Sequence, residues 1–571
     1  MQRASIETVC PYCGVGCGFY IDTVAGKITG LDYMTEHPVN EGALCPKGNA
    51  SLDIVYHHDR LLYPMQRTED GFERIEWTEA LNNVAANINR IRAHFGPDAL
   101  GFLASAKATN EENYLFQKLA RMLGTNNIDH CAHLYHSPTM AGLAATLGSG
   151  AMTNPIVDLA NADCIFVIGS NFAANHPIVS RWVLDAKQRG ATIIVADPHF
   201  TPTAWSADLF LPILPGTDTS LVNAMMNVII AEGLWDEGFV EERVEGYDEL
   251  CDAVANYPPE RAAKITGIPE DDIIKAARAY ATAQASSIVY CTGVTQHTGG
   301  TETVKNLANL ALLTGQIGRP GTGVNPLRGQ DNAQGACDMG ALPNIYPGYQ
   351  PVTDEASHEK FASAYGMPGE DISRRPGLTL VEMIQAIDEG KLRGMLILGE
   401  NPVAGDSNAA HVAEALEKLD FLAVIEIFPT ETTQLAHVVL PAASFAEKRG
   451  TKTATDRRVQ WLERAVEPVG EAMTDWKIIC RLAARMGFEK QFTYPHEEAI
   501  FYEIRAMTPS YAGLSPERLQ KTIGGIPWPC LATDDPGTSI LYTQSFNRSG
   551  GKGRMVPADY SLLAEEGGGH A

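Results

Sequence analysis

Four cysteines near the start of the chain are the first residues with the types and spacing to do chemistry. Cys10, Cys13 and Cys17 lie in CPYCGVGCGFY, and Cys45 lies in GALCPKGNA. Three thiolates close in sequence with a distant fourth suit a cubane iron–sulfur cluster. In such a site a short loop wraps three corners and a remote residue closes the cage. Gly14, Gly16 and Gly18 let that loop curl tightly and turn its amides toward sulfur. A structural zinc is the competing occupant, but zinc ribbons are usually built on two C-x2-C knuckles and this region has one. Lys47 follows Cys45 by two residues. It is either a solvated lysine or a cation set between the cluster and a second, anionic cofactor.

A second reactive stretch is HCAHLYHSPTM, residues 130–140. His130, His133 and His136 recur every three residues and could share a metal on one helix. Pro138, two residues past the last of them, argues against it.

These residues need elements to hold them, and an internal repeat supplies them. CIFVIGSNFAANHP, ATIIVADPHFT and ADLFLPILPGTD match GMLILGENPVAG, FLAVIEIFPTE and AHVVLPAASF in the same order. Each copy starts with an apolar strand ending in G-x-N, at Gly169–Asn171 and at Gly399–Asn401. A second strand ends in an acid, Asp197 or Glu426, 28 residues after the glycine in one copy and 27 in the other. The leucine of the following LP comes 14 residues later in both. Each copy reads as a β-α-β unit with a third strand after it. Ligands of such units sit at the carboxyl ends of the strands, the glycine admitting a phosphate and the acid accepting from a ribose or base edge. Two copies suggest two nucleotide tails, or else a duplicated scaffold with fewer live sites. Neither copy has a full G-x-G-x-x-G. PGTDTSL (215–221), CTGVTQHTGGTET (291–303) and the amide-rich stretch 318–340 read as further ligand-holding loops, with Arg328 in the last placed to grip an anion.

The bulk properties set limits. A chain of 571 residues exceeds one core and divides into three or four domains. The net charge of −25 argues against nucleic acid or an anionic membrane surface as the main partner, so an anionic ligand needs a local basic pocket. MQRASIETVC leaves no room for a signal peptide before Cys10. No apolar run approaches the roughly 18 residues of a membrane span. Eleven scattered cysteines do not read as a disulfide framework. A reduced, cytoplasmic protein is expected.

Together the four cysteines, the repeat and the amide-rich loop resemble the molybdopterin oxidoreductases, and more narrowly the catalytic subunits of formate dehydrogenases. The resemblance runs from TVCPYCGVGCG to GIPWPC. It is most specific in GTNNIDHCAHLYHSPTMAGLAATLGSGAMTN, GVNPLRGQDNAQGACDMGALPN and LPAASFAEKRGT. It implies an α/β, multi-domain fold with an N-terminal 4Fe-4S domain and two Rossmann-like α/β domains. It also implies a 4Fe-4S cluster on Cys10, Cys13, Cys17 and Cys45, and two molybdopterin guanine dinucleotides carrying molybdenum or tungsten. The nucleotide contacts fall on Gly169, Asn171, Asp197, Asp218, Gly399 and Asn401. Lys47 lies between cluster and pterin. Arg328 orients formate or CO2, and His136 stands beside the metal. The partners implied are an electron-transfer subunit carrying iron–sulfur clusters or flavin.

The chain departs from the family at two places. Tyr135 stands where the family has a metal-ligating cysteine or selenocysteine, and His133 where it has arginine. Three readings compete: a tyrosine beside a live metal, a degenerate site in a scaffold or relay subunit, or a substitute for the native residue. Cys131 is a packed thiol or a replacement ligand. The second departure is the end of the chain. The family usually adds a β-barrel after the GIPWPC region, and a separate barrel subunit is the expectation here. The expected domains are 1–55 for the cluster with 441–475 returning to it, 56–130 plus 336–440 and 135–335 for the two nucleotide units, and 476–571 as a C-terminal segment. The expected activity is two-electron interconversion of formate and CO2. The alternatives are a non-catalytic relay, or another pterin–metal reaction such as formyl or hydration chemistry.

Overall fold

The computed structural model describes residues 3–405 and 408–560. Strands β1 (Arg3–Val9), β2 (Gly18–Val24) and β3 (Lys27–Tyr33) form an antiparallel sheet that carries the first cysteines between β1 and β2. The chain then lays down β4 (Met65–Thr68), β5 (Gly71–Arg74), β6 (Leu100–Leu103) and β7 (Ile128–Asp129). It leaves to build β8 (Cys164–Ile168), β9 (Thr192–Ala196), β10 (Leu209–Leu211), β11 (Ser286–Tyr290) and β12 (Gly323–Pro326). It returns with β13 (Gly394–Leu398), β14 (Phe421–Glu426) and β15 (Val438–Pro441).

The excursion forms one parallel sheet of order β10-β9-β8-β11-β12, and the flanking parts form a second of order β5-β4-β15-β14-β13-β6-β7. The central strands CIFVI and GMLIL are apolar throughout and wholly buried. Parallel strands with both faces covered read as such continuous runs, and each large side chain contributes roughly 1.5–3 kcal/mol on burial. In the second sheet, β4 and β5 run antiparallel at the edge.

Strand order reverses once in each sheet, between β8 and β11 and between β13 and β6. These are the switch points at which open α/β sheets leave a crevice beyond their carboxyl ends. Gly169 follows β8 with φ +54°, and Gly399 follows β13 with φ +52°. The Gly169 carbonyl accepts from Gly293 N at 3.1 Å across its crevice, and the Gly399 carbonyl accepts from Ser105 Oγ at 2.6 Å across the other.

Four helices bear on the site: α1 (Asn110–Met122), α2 (Ala132–Thr146), α3 (Asp218–Ala231) and α4 (Gly300–Leu313). Helix α1 opens on a capping box between Thr109 and Glu112 and is buried along its whole length. The stretch 318–340, read from sequence as one loop, contains β12 and a short helix, Ala333–Asp338. Its amides are spent on structure: Asn325 Nδ2 donates to Ser287 Oγ at 2.8 Å and Asn332 Nδ2 to the Ala108 carbonyl at 2.8 Å.

After β15 the chain forms β16 (Gly450–Thr453) and β17 (Arg458–Leu462), with β18 (Ile526–Pro527) beside them. This hairpin lies against the cysteine loop: Thr455 N donates to the Gly14 carbonyl at 2.6 Å and Arg458 Nη2 to the Val15 carbonyl at 2.8 Å. The last described stretch crosses to the other unit, where Gly553–Arg554 pairs with Val244–Glu245.

Candidate functional site

The cysteine loop is shaped by close approach. A Cβ on Gly14 would fall 2.7 Å from the Arg328 carbonyl oxygen, so only glycine lets this loop touch the arginine segment. All four thiols are free, Cys10 and Cys17 buried and Cys13 and Cys45 partly so. Burial pushes the Cys10 thiol up to about 12 and the Cys17 thiol well above its usual value, with the neighbouring thiols adding to both. The Tyr12 and Val15 amides pull the other way on Cys10 and Cys13. Four thiolates here need a cationic group to hold them charged. A tetrahedral zinc with bonds of about 2.3 Å sets its sulfurs about 3.8 Å apart. Among the described residues, no three of these cysteines bring their sulfurs within 4.8 Å of one another. The set is therefore wider than that single-ion geometry.

Two lysines reach between this loop and the crevices. Lys47 Nζ donates to the carbonyls of Ala174 and Asn175, at 3.2 and 3.1 Å, in the turn below Gly169. Lys107, which the sequence reading missed, donates to the carbonyls of Pro11 and Tyr12 at 2.7 and 2.8 Å. It also pairs with Asp331 at 3.2 Å. Its signal in the sequence was its place, four residues beyond the end of β6 at a crevice mouth.

The repeat goes further in space than in sequence. Asn171 Oδ1 accepts from Thr203 Oγ1 at 3.0 Å, and Asn401 Oδ1 accepts from Thr432 Oγ1 at 2.7 Å, so each asparagine is oriented by a threonine 32 or 31 residues on. Asp197 accepts from His199 N at 2.9 Å and is 9% exposed. Asp218 is the first residue of α3, also nearly buried. A cavity of about 300 Å³ lies over Gly399, Ser105, Lys107 and Glu426 and extends to Lys448 and Lys452.

In and beside α2 the three histidines part company. The His130 ring nitrogen Nε2 lies 3.5 Å from Cys337 Sγ, His133 pairs with Asp129 at 3.2 Å, and His136 Nδ1 lies 3.2 Å from Thr139 Oγ1. They share no metal position among the described residues. Tyr135 is half-buried against Ala106, Cys131 and Ala333, and its hydroxyl donates to the Gly405 carbonyl at 3.1 Å. Cys131 Sγ lies 2.7 Å from Gln330 Oε1.

His136 faces Arg328. Burial, then the arginine and His176, push its pKa down to about 3, so it is neutral at ordinary pH. Its Nε2 makes no well-formed hydrogen bond. His176 Nε2 lies 2.8 Å from the Arg328 carbonyl. A carbonyl only accepts, so Nε2 carries the proton and Nδ1 is left as a buried acceptor without a partner. Ser170 Oγ, next to Gly169, is also buried without a partner. These orphaned atoms lead from the first crevice toward Arg328.

Comparison with known proteins gives the family. Residues 60–485 match the molybdopterin oxidoreductase family, and residues 4–57 match the molybdopterin oxidoreductase Fe4S4 domain. The chain belongs to the molybdopterin oxidoreductase family. It is 48% identical to the F420-dependent formate dehydrogenase subunit alpha of Methanocaldococcus jannaschii, over 99% of this chain and 82% of that one. It is 42% identical to formate dehydrogenase H of Escherichia coli, over 97% and 78%. Among solved structures it resembles acetylene hydratase from Pelobacter acetylenicus, with a TM-score of 0.78 and 25% identity over 96% of this chain and 77% of that one. The fold is therefore the family's α/β multi-domain fold with an N-terminal Fe4S4 domain. The cofactors are a 4Fe-4S cluster and molybdopterin with molybdenum or tungsten. No described helix is long and apolar enough to cross a membrane.

The residues present fit those cofactors. The unpartnered His176 Nδ1 and Ser170 Oγ suit a pterin and its phosphates, which are rich in N–H donors and acceptor oxygens respectively. Lys107, Lys448 and Lys452 line the cavity, each paired with a carboxylate, and Glu426 and Asp475 line it with them, so its wall is of mixed charge.

Proposed function

We propose that this chain is the pterin–metal subunit of a formate dehydrogenase-type complex, interconverting formate and CO2. The observation that carries this reading is the state of Arg328. It is 1% exposed, yet among the described residues its terminal nitrogens face only Cys337 Sγ at 3.8 Å, Met140 Sδ at 3.3 Å and the Gly150 carbonyl at 3.4 Å. These are weak acceptors for a buried cation, and a small carboxylate would replace them with charge-assisted bonds. His136, neutral beside it, is placed to exchange a proton with a bound substrate. The relatives named as formate dehydrogenase subunits support the substrate class.

The pterin-bound metal supplies the two-electron chemistry when present. The chain's part is to bind and orient the anion with Arg328, to exclude water by burial, and to hold His136 neutral. Lys47 and Lys107 keep positive charge between the crevices and the four cysteines. Gly169, Asn171, Asp197 and Asp218 would hold one dinucleotide, and Gly399 and Asn401 the other. Cys10, Cys13, Cys17 and Cys45 would hold a 4Fe-4S cluster, which would supply the electron outlet to a partner subunit with iron–sulfur or flavin centres.

A second reading is favoured by one observation. Tyr135 stands at the position of the family's metal-ligating residue, and its hydroxyl is already satisfied by Gly405. A non-catalytic relay subunit would show this. Molybdenum, tungsten and iron per chain in anaerobically purified complex, followed by formate-dependent dye reduction, separate the two. A loaded centre with formate turnover supports the enzyme, and iron without either heavy metal supports the relay.

A further inference from the structure

Arg328 touches no carboxylate among the described residues. The only strong bond to its side chain comes from Nε, which donates to Gln334 Oε1 at 2.9 Å. An isolated glutamine amide presents either end equally well. Here the choice is made one layer out, by Asp338. Its carboxylate only accepts, and it takes hydrogens from Gln334 Nε2 at 2.8 Å, Tyr349 Oη at 2.7 Å and Tyr511 Oη at 2.7 Å. Gln334 spends its second amide hydrogen on Tyr349 Oη at 2.8 Å. Its NH2 end is fully engaged, so the oxygen must face the arginine. All these side chains but Tyr349 are essentially buried.

The interposed amide has a chemical consequence. A carboxylate in direct contact with Arg328 would occupy the guanidinium fork and cancel the charge a substrate anion needs. Asp338 instead acts at one remove, close enough to feel the arginine's charge while leaving the terminal nitrogens unpaired. Tyr511 brings in the segment after residue 475, whose hydroxyl is also bonded to Thr453 Oγ1 at 2.9 Å.

We propose that Gln334 and Asp338 are positioning residues for substrate, fixing the plane of the Arg328 guanidinium so that its terminal nitrogens meet a small planar monoanion. This rests on the reading of Arg328 as the formate-binding group. The test is calorimetric binding of formate, and of nitrate as a planar monoanion that is not oxidised, to the cofactor-loaded complex. The proteins compared are the wild type, Gln334→Met, Asp338→Asn and the milder Tyr511→Phe. In Asp338→Asn the new amide can donate, so Gln334 is free to turn its NH2 to the arginine. Gln334→Met and Asp338→Asn should weaken both anions about tenfold, equivalent to about 1.4 kcal/mol, and Tyr511→Phe about twofold to fivefold, within the worth of one hydrogen bond. The cluster's electron paramagnetic resonance signal should be unchanged, and in turnover the loss should fall on KM more than on kcat. Unchanged affinities in variants that keep the cluster signal overturn the positioning role alone. Failure of the wild type to bind either anion overturns the formate reading and this inference with it.

Discussion

Lys107 Nζ lies 2.7 Å from the carbonyl oxygen of Pro11, and this bond joins the second crevice to the loop carrying Cys10 and Cys13. Lys47 makes the reciprocal connection from beside Cys45 to the turn below the first crevice. Each crevice is therefore linked to the cluster loop by one lysine.

Removing the Lys107 charge should lower the cluster's reduction potential, because a cation nearby stabilises the more negative reduced form. In Lys107→Gln, each 1.4 kcal/mol or so of lost attraction corresponds to about 59 mV for a one-electron couple. A redox titration followed by electron paramagnetic resonance measures it. An unchanged potential would mean the lysine only staples the loop.

Stability should fall with rising pH through Glu111. This residue is fully buried in α1 and accepts from Thr451 N and Oγ1 at 2.8 and 3.0 Å. Burial pushes its pKa up to about 8 from an ordinary 4.5. Between those values the folded state holds a proton that the unfolded state has lost. Its contribution is complete below the unfolded value, declines by about 1.4 kcal/mol per pH unit through the window, and levels off above about pH 8. Glu111→Gln should flatten this part of the profile and raise the melting temperature at pH 8 to 9. Thermal unfolding of both proteins from pH 5 to 9 checks it.

Strand ends were legible in the sequence, and the partners across the crevices were not. Gly169 and Gly399 could be located because an apolar run followed by G-x-N is a local pattern, and its repetition cancels chance. The fold and cofactors came from the resemblance to the family, carried by longer motifs such as LPAASFAEKRGT, and not from these strand ends alone. The Thr203 and Thr432 partners had the same spacing signal, hidden because threonine is common. Gln334 and Asp338 left no local trace, and Lys107 left only its place after β6. Their roles depend on approaches between distant segments, such as Gly14 against the Arg328 carbonyl and Tyr511 against Asp338. The stretch 318–340 misled as a loop because its amides and glycines serve buried structure. Its amide side chains replace backbone partners that a local reading assigns to turns.

The two crevice glycines should differ in tolerance. Both have positive φ, so alanine at either costs about 1–2 kcal/mol in backbone strain. At Gly169 a Cβ also meets Val294 N at 2.6 Å and the Gly293 carbonyl carbon at 2.7 Å, both backbone. At Gly399 the nearest atom is Ser105 Oγ at 3.1 Å, on a side chain that can rotate. Gly169→Ala should therefore lower the melting temperature more and retain less pterin than Gly399→Ala. Fluorescence of the released, oxidised pterin and thermal unfolding give the two readouts. Equal losses would mean that the crevices relax alike.

Tyr135 is the residue on which the enzyme and relay readings divide. Its aromatic ring packs on Ala106, Cys131 and Ala333, and its hydroxyl donates to the Gly405 carbonyl. Tyr135→Phe removes the bond to the Gly405 carbonyl, at a stability cost of about 1 kcal/mol. If the phenol only packs, the variant keeps the visible spectrum of the wild type, whereas an oxygen bound to the metal would give a charge-transfer band that disappears. Tyr135→Cys restores a short sulfur donor at the same helical position while leaving Arg328, Gln334 and His136 in place. Formate-dependent dye reduction should rise by at least about tenfold over the wild type, at equal molybdenum or tungsten content. No rise in fully loaded protein would show that the tyrosine is not the block. The fault would then lie in how the pocket binds the anion, which the formate and nitrate affinities report directly.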